Sequence, residues 1–126
     1  MSENEAARWP AYATDCAFPI GWVEARRLVR EYLHLAEGLP DGRTLNLDEW
    51  EYCFTVTVTS PPPPLGPDGV PSRPVEPGGG VTVLDKENGH FSFWPSWGAS
   101  YVVQRFVETK AAGAFDNHTA WPEADR

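Results

Sequence analysis

The chain has 126 residues, 41% hydrophobic and 13% aromatic, with 13 prolines and 11 glycines. That is one domain's worth of length with enough apolar mass for a core, which excludes full disorder and predicts much loop. A formal net charge of −8 excludes general attraction to phosphate backbones, which Lys and Arg dominate, and suits a basic partner rather than nucleic acid.

Residues 1–19 carry no sustained period and read as an irregular arm fastened by Trp9, Tyr12 and Phe18. The opening "MSENEAARWP" is polar and acidic, with no apolar signal region. No run approaches the ~20 apolar residues of a membrane span. A cytoplasmic protein with no membrane contact is the expectation, with Cys16 and Cys53 as free thiols and Cys53 as packing material.

"GWVEARRLVREYLHLAEGLP" predicts a long amphipathic helix from Gly21 towards Pro40. Trp22, Ala25, Leu28, Val29, Tyr32, Leu33 and Ala36 form one apolar stripe, and Gly38 is the natural stop. "RTLNLDEWEYCFTVTVTS" then switches to period two. Trp50, Tyr52, Phe54, Val56 and Val58 share a core face, while Glu51, Cys53, Thr55, Thr57 and Thr59 share a wet one. "TLNL" is either an end of this same strand or a short strand before it.

Residues 60–80 hold eight prolines and five glycines in 21 positions, which denies both helix and ladder and predicts a surface loop. "VTVLDKENGHFSFW" follows as a β-hairpin with Asn88-Gly89 at its turn. Two registers are open. A two-residue loop sets Leu84 opposite Phe93; a longer loop with Gly89 left-handed at a bulge slips that pairing.

Beyond Pro95, Ala99, Val102, Val103, Phe106, Val107 and Lys110 fit a helix, with Ser96 or Ser100 as N-cap and Gly113 as stop. Tyr101, Val103, Arg105 and Val107 also alternate as a strand would; helix is the reading taken. Residues 112–126 read as a frayed tail pinned only by Trp121. The fold class expected is α+β: one long helix on a three- to four-stranded antiparallel sheet, plus a short C-terminal helix. The whole of 1–126 reads as one domain with its core at about 20–111.

The chemistry search predicts no enzyme. His34, His90 and His118 are scattered, and no HExxH, CxxC, GxSxG or phosphate-loop spacing occurs, so no metal, cofactor or catalytic residue is expected. The acids Asp48, Glu49, Glu51, Asp85 and Glu87 fall at strand ends and turns, where carboxylates are ordinarily solvated. Trp94 and Trp97 flank "PS" and read as a seam between hairpin and helix, or as anchors for a protein partner.

The order of elements carries a resemblance. An "EARRLVREYL" helix, the strand "WEYCFTVTV", a Gly-rich approach, the hairpin "VTVLDKENGHFSFW" and the closing "YVVQRFVETK" together resemble the small bacterial YrhB-like immunity proteins of polymorphic toxin systems. The matching positions are Ala25, Leu28, Val29, Tyr32, Leu33, Val83, Asp85 and Gly89, over residues 22 to 110. The resemblance implies an inhibitor that binds and blocks a cognate toxin enzyme, such as a nuclease or deaminase, without catalysis. The expected contact surface is an acidic edge of Asp48, Glu49, Glu51, Asp85 and Glu87, ending at Trp94 and Trp97. Two other classes stay open: a small-molecule binder or enzyme with a pocket lined by Tyr32, Trp50, Phe54 and Trp94, and a scaffold using the Pro61 to Pro64 run.

Overall fold

The computed structural model of the chain describes residues 8–35, 39, 42–61, 64–70 and 80–122. In chain order the elements are β1 (Trp9–Tyr12), α1 (Trp22–Tyr32), β2 (Thr44–Glu49), β3 (Cys53–Thr59), β4 (Val81–Asp85), β5 (Phe91–Trp94), α2 (Ala99–Ala111) and β6 (Phe115–His118). The strands make one six-stranded sheet in the order β2-β3-β4-β5-β1-β6. All neighbours are antiparallel except β1 and β6, which pair in parallel from Trp9↔Phe115 to Tyr12↔His118.

The expected sheet of three to four antiparallel strands is therefore too small, and it is mixed. The two extra strands come from the supposed arm and tail. Each is only four residues, too short to show a period. Pro10 hides β1, because proline argues against a strand interior. It has no N–H to offer β5, and the Phe93 carbonyl accepts the Trp9 indole N–H at 3.1 Å. β6 reads "FDNH", with nothing but Phe115 to mark it as buried.

The helix lengths are also reversed. α1 has 11 residues and α2 has 13, so the long first helix of the sequence reading is not present. α1 ends at Tyr32: the Leu33 N–H closes onto the Val29 carbonyl, and His34 turns left-handed at φ +58°. Leu33 and Leu35 still pack against the core after that turn. Apolar spacing thus outlasted the helix, and periodicity alone could not see the backbone turn away. Gly38, the expected stop, lies outside the described residues.

Two helices on opposite faces leave the central sheet with no wet side. On one face Phe54, Val56, Leu84 and Phe91 pack against Ala25, Leu28 and Val29 of α1. On the other, Cys53, Val81, Val83 and Trp94 pack against Val102 and Phe106 of α2. Cys53, expected as packing material although its face reads as wet, and Thr55, expected in water, are both fully buried because α2 returns across them. The alternation is real but starts only at Cys53. Residues 51 and 52 form the tip of a tight turn closed by Trp50 N–H to the Cys53 carbonyl (2.8 Å), and "TLNL" begins a separate strand registered Glu49↔Phe54. Trp50 consequently sits on the α2 face, its indole donating to Thr55 Oγ1 at 2.9 Å.

The β4–β5 hairpin takes the longer loop. Leu84 pairs with Phe91, Val83 with Ser92 and Thr82 with Phe93. The Gly89 N–H bonds the Asp85 carbonyl (2.8 Å), the Asp85 N–H bonds the His90 carbonyl (2.9 Å), and Gly89 stands at φ +74°. This is a bulge with glycine in the left-handed position. α2 is the helix expected after Pro95, but its N-cap is Gly98 rather than a serine, and Gly113 at φ +65° follows its last turn.

Candidate functional site

Three chain segments meet at the C-terminal end of α2. The β2–β3 turn brings Glu51 and Tyr52, the β4–β5 turn brings Asp85, Lys86 and Glu87, and the last turns of α2 bring Phe106 and Lys110. Together they line an open groove of about 550 Å³. The two turns are tied by the Lys86 N–H to the Tyr52 carbonyl (3.1 Å) and by Lys86 Nζ to the Trp50 carbonyl (2.6 Å).

Charge runs through this site as one ion pair and one lysine shared by two carboxylates. Lys86 Nζ reaches Glu49 Oε2 at 2.8 Å. Lys110 Nζ bonds Asp85 Oδ2 at 2.5 Å and also pairs with Glu87. Asp85 is nearly enclosed, with 6% of its side chain exposed, and its other oxygen accepts the Glu87 N–H at 2.8 Å. Burial disfavours the Lys110 ammonium, but its bonds to Asp85 and Glu87 outweigh that and raise its pKa. Bonding to Lys86 lowers the pKa of Glu49, and bonding to Lys110 lowers that of Glu87. Both carboxylates are thus held more firmly ionised, the reverse of what a general acid needs.

Among the described residues no serine, threonine, cysteine or histidine side chain lines the groove. Cys53 lies under α2, and burial, with the Asp85 charge adding, pushes its thiol up to about 12. Cys16 is half-buried against the Asn88 carbonyl. His90 Nδ1 is 2.9 Å from Asn117 Oδ1 and joins the hairpin to β6. Among the described residues no three His, Cys, Asp or Glu side chains are grouped to hold a metal ion, and no helix is long and apolar enough to cross a membrane. What the groove presents is an apolar floor rimmed by fixed charge.

Residues 22–114 match the family model of the Immunity protein 35-like domain. The chain belongs to that immunity-protein family. The resemblance to YrhB-like proteins thus holds at the level of an immunity domain, and the match does not single out that group. No curated protein and no solved structure gives a significant match. The match begins at the first residue of α1 and stops one residue before β6, so the immunity domain comprises both helices and the four antiparallel strands β2 to β5. The parallel pair β1 and β6 lies outside it.

Of the seven site residues read from sequence, the immunity domain gathers four. Glu51, Asp85 and Glu87 line the groove, and Glu49 joins them through Lys86. Asp48 is exposed on β2, opposite Thr55 and so on the α2 face. Trp94 is buried, stacked on Trp9 with centroids 4.1 Å apart and bonded to Ser92 Oγ. It is core. Trp97 is 45% exposed but sits before the first turn of α2, against Tyr101, at the opposite end of the helix from Lys110. At 1.5 Å per residue that is roughly 20 Å from the groove.

Tyr52, Lys86 and Lys110 were missing from that set. Lys110 had a signal, since it falls on the apolar stripe of α2 one turn after Phe106. A cation on a packed face needs an anion below it. The pocket of Tyr32, Trp50, Phe54 and Trp94 does not form: Tyr32 and Phe54 lie on the α1 face, Trp50 and Trp94 on the α2 face.

Proposed function

We propose that this protein binds and neutralises a toxin enzyme inside the cell that makes both, by occluding it without catalysis. The observation that carries the reading is the immunity-domain match over residues 22–114. The groove at the C-terminal end of α2 is the proposed contact surface, with Tyr52 (58% exposed) as its anchor and Glu51 as a charge with no ion-pair partner among the described residues. Glu87 and Glu49 sit beside it with their lysines. A basic toxin, acting on nucleic acid as nucleases and deaminases do, gains encounter rate from a net charge of −8.

The test is co-expression with a candidate toxin domain, scoring survival and recovery of a stoichiometric complex. Glu51→Lys with Glu87→Lys is expected to slow association by about tenfold at low salt, as rim charges act on the on-rate. Tyr52→Ala is expected to speed dissociation by a similar factor. Protection that survives all three changes would move the contact to another face. Absence of any toxin whose activity the protein suppresses would remove the immunity reading itself.

A further inference from the structure

The sheet has two free edges among the described residues, and they differ. β6 is four residues long and presents Asp116, Asn117 and His118, all exposed. Short polar edges of this kind discourage pairing. β2 is six residues long and has no strand beyond it. Trp50 N–H bonds the Cys53 carbonyl, so Asp48, Asn46 and Thr44, at alternate positions, direct their backbone groups to β3. The N–H and C=O groups of Leu45, Leu47 and Glu49 therefore point out of the sheet.

Those outward residues also share the α1 face. Leu45 and Leu47 form one wall of a groove of about 590 Å³ whose other wall is Trp22, Arg26 and Arg30. Arg26 lies over the Trp22 ring, 5.8 Å from its centroid. Neither arginine has an ion pair among the described residues. In a chain of net charge −8, this groove thus carries two cations that an anionic side chain can pair with.

The chain itself carries the complement. We propose that β2 pairs antiparallel with β2 of a second copy, giving a two-fold dimer with one continuous sheet. The register that joins outward groups to outward groups sets Leu47 opposite its own counterpart and Leu45 opposite Glu49 of the second copy. Trp22 packs on Phe54, the partner of Glu49, so Arg30, two turns further along α1, lies towards the Leu45 end. Glu49 of the second copy, 41% exposed and already paired with its own Lys86 through Oε2, thus enters beside Arg30 as a carboxylate shared between the two cations, and the apolar walls close around the two leucines. Long-range repulsion between two acidic chains is screened beyond ~8 Å at physiological salt.

Sedimentation equilibrium of the full chain at physiological salt tests this. The expected result is a reversible dimer at twice the 14.0 kDa chain mass. Leu47→Asp is expected to leave only monomer. Arg30→Glu is expected to weaken the dimer by roughly tenfold or more, and Arg30→Glu with Glu49→Arg to recover it. Both of the latter sites are on the surface, so the exchange reads the contact even if Leu47→Asp unfolds. A chain that stays at monomer mass at every concentration overturns the proposal, as does a dimer that Arg30→Glu leaves unchanged. Neither outcome bears on the immunity-domain match over residues 22–114, on which the proposed function rests.

Discussion

Gly89 carries two requirements at one position. Its φ of +74° is a conformation that costs an ordinary L-residue about 1–2 kcal/mol. A Cβ there would also stand 2.2 Å from Cys16 Sγ and 2.8 Å from Cys16 Cβ. Gly89→Ala should therefore destabilise by about 2–4 kcal/mol in urea unfolding, combining backbone strain with overpacking. Adding Cys16→Ala removes the sulfur and should return part of that loss, leaving the strain. A loss under 1 kcal/mol would mean the loop re-forms around the new side chain.

Lys110 has a similar double role through Asp85. Lys110→Met leaves a nearly enclosed carboxylate without its cation, which costs about 3–5 kcal/mol for a fully buried pair. Lys110 is 31% exposed, so water screens part of that, and about 2–3 kcal/mol is expected. Lys110→Met with Asp85→Asn should recover most of it, because the stranded charge is then gone. Additive losses in the two single variants would show that the pair is not coupled.

At the scale of elements, the sheet depends on strands that barely resemble strands. β1 is held to β5 by its indole more than by its ladder, since only Tyr12↔Phe91 registers the two strands. The Trp9 ring stacks on Trp94, and its N–H bonds Phe93. Trp9→Ala is expected to cost about 2–4 kcal/mol, somewhat less than a fully buried tryptophan, and to expose the amides of β6 to hydrogen exchange. Retained protection of β6 would mean that it docks independently of β1. Trp121 plays the corresponding part on the other face, donating to the Ala13 carbonyl at 2.7 Å and packing among Tyr12, Tyr32, Phe91 and Phe93.

At the scale of the molecule, acid is the expected route to unfolding. Glu24 accepts two bonds from Arg27 and one from the Ala17 N–H, which hold its pKa at about 2, below the ordinary 4.5. The unfolded chain therefore takes up this proton first as pH falls. Its contribution is complete above about 4.5 and is lost as pH drops towards 2. The lowered pKa values of Glu49 and Glu87 act with the same sign. Melting temperature should fall through that window, and Glu24→Gln should melt lower at neutral pH with a shallower acid slope. An unchanged slope would place the acid sensitivity elsewhere.

What the sequence determined by itself was local and periodic. The amphipathic stripe located α1, the second stripe located α2, Asn88-Gly89 located a hairpin, and the order of these elements resembled an immunity protein. Each rests on the chemistry of neighbouring residues. Tertiary structure decided the rest. Whether Cys53 and Thr55 meet water depends on α2 crossing a face whose pattern looks half polar. Trp9–Tyr12 and Phe115–His118 become strands only because each completes the other's hydrogen bonds across 106 positions of sequence, from Trp9 to Phe115. Glu51, Asp85 and Glu87 form one groove only because two turns and a helix end arrive together around Lys110. Those contacts lie between residues far apart in the chain, and no local period records them.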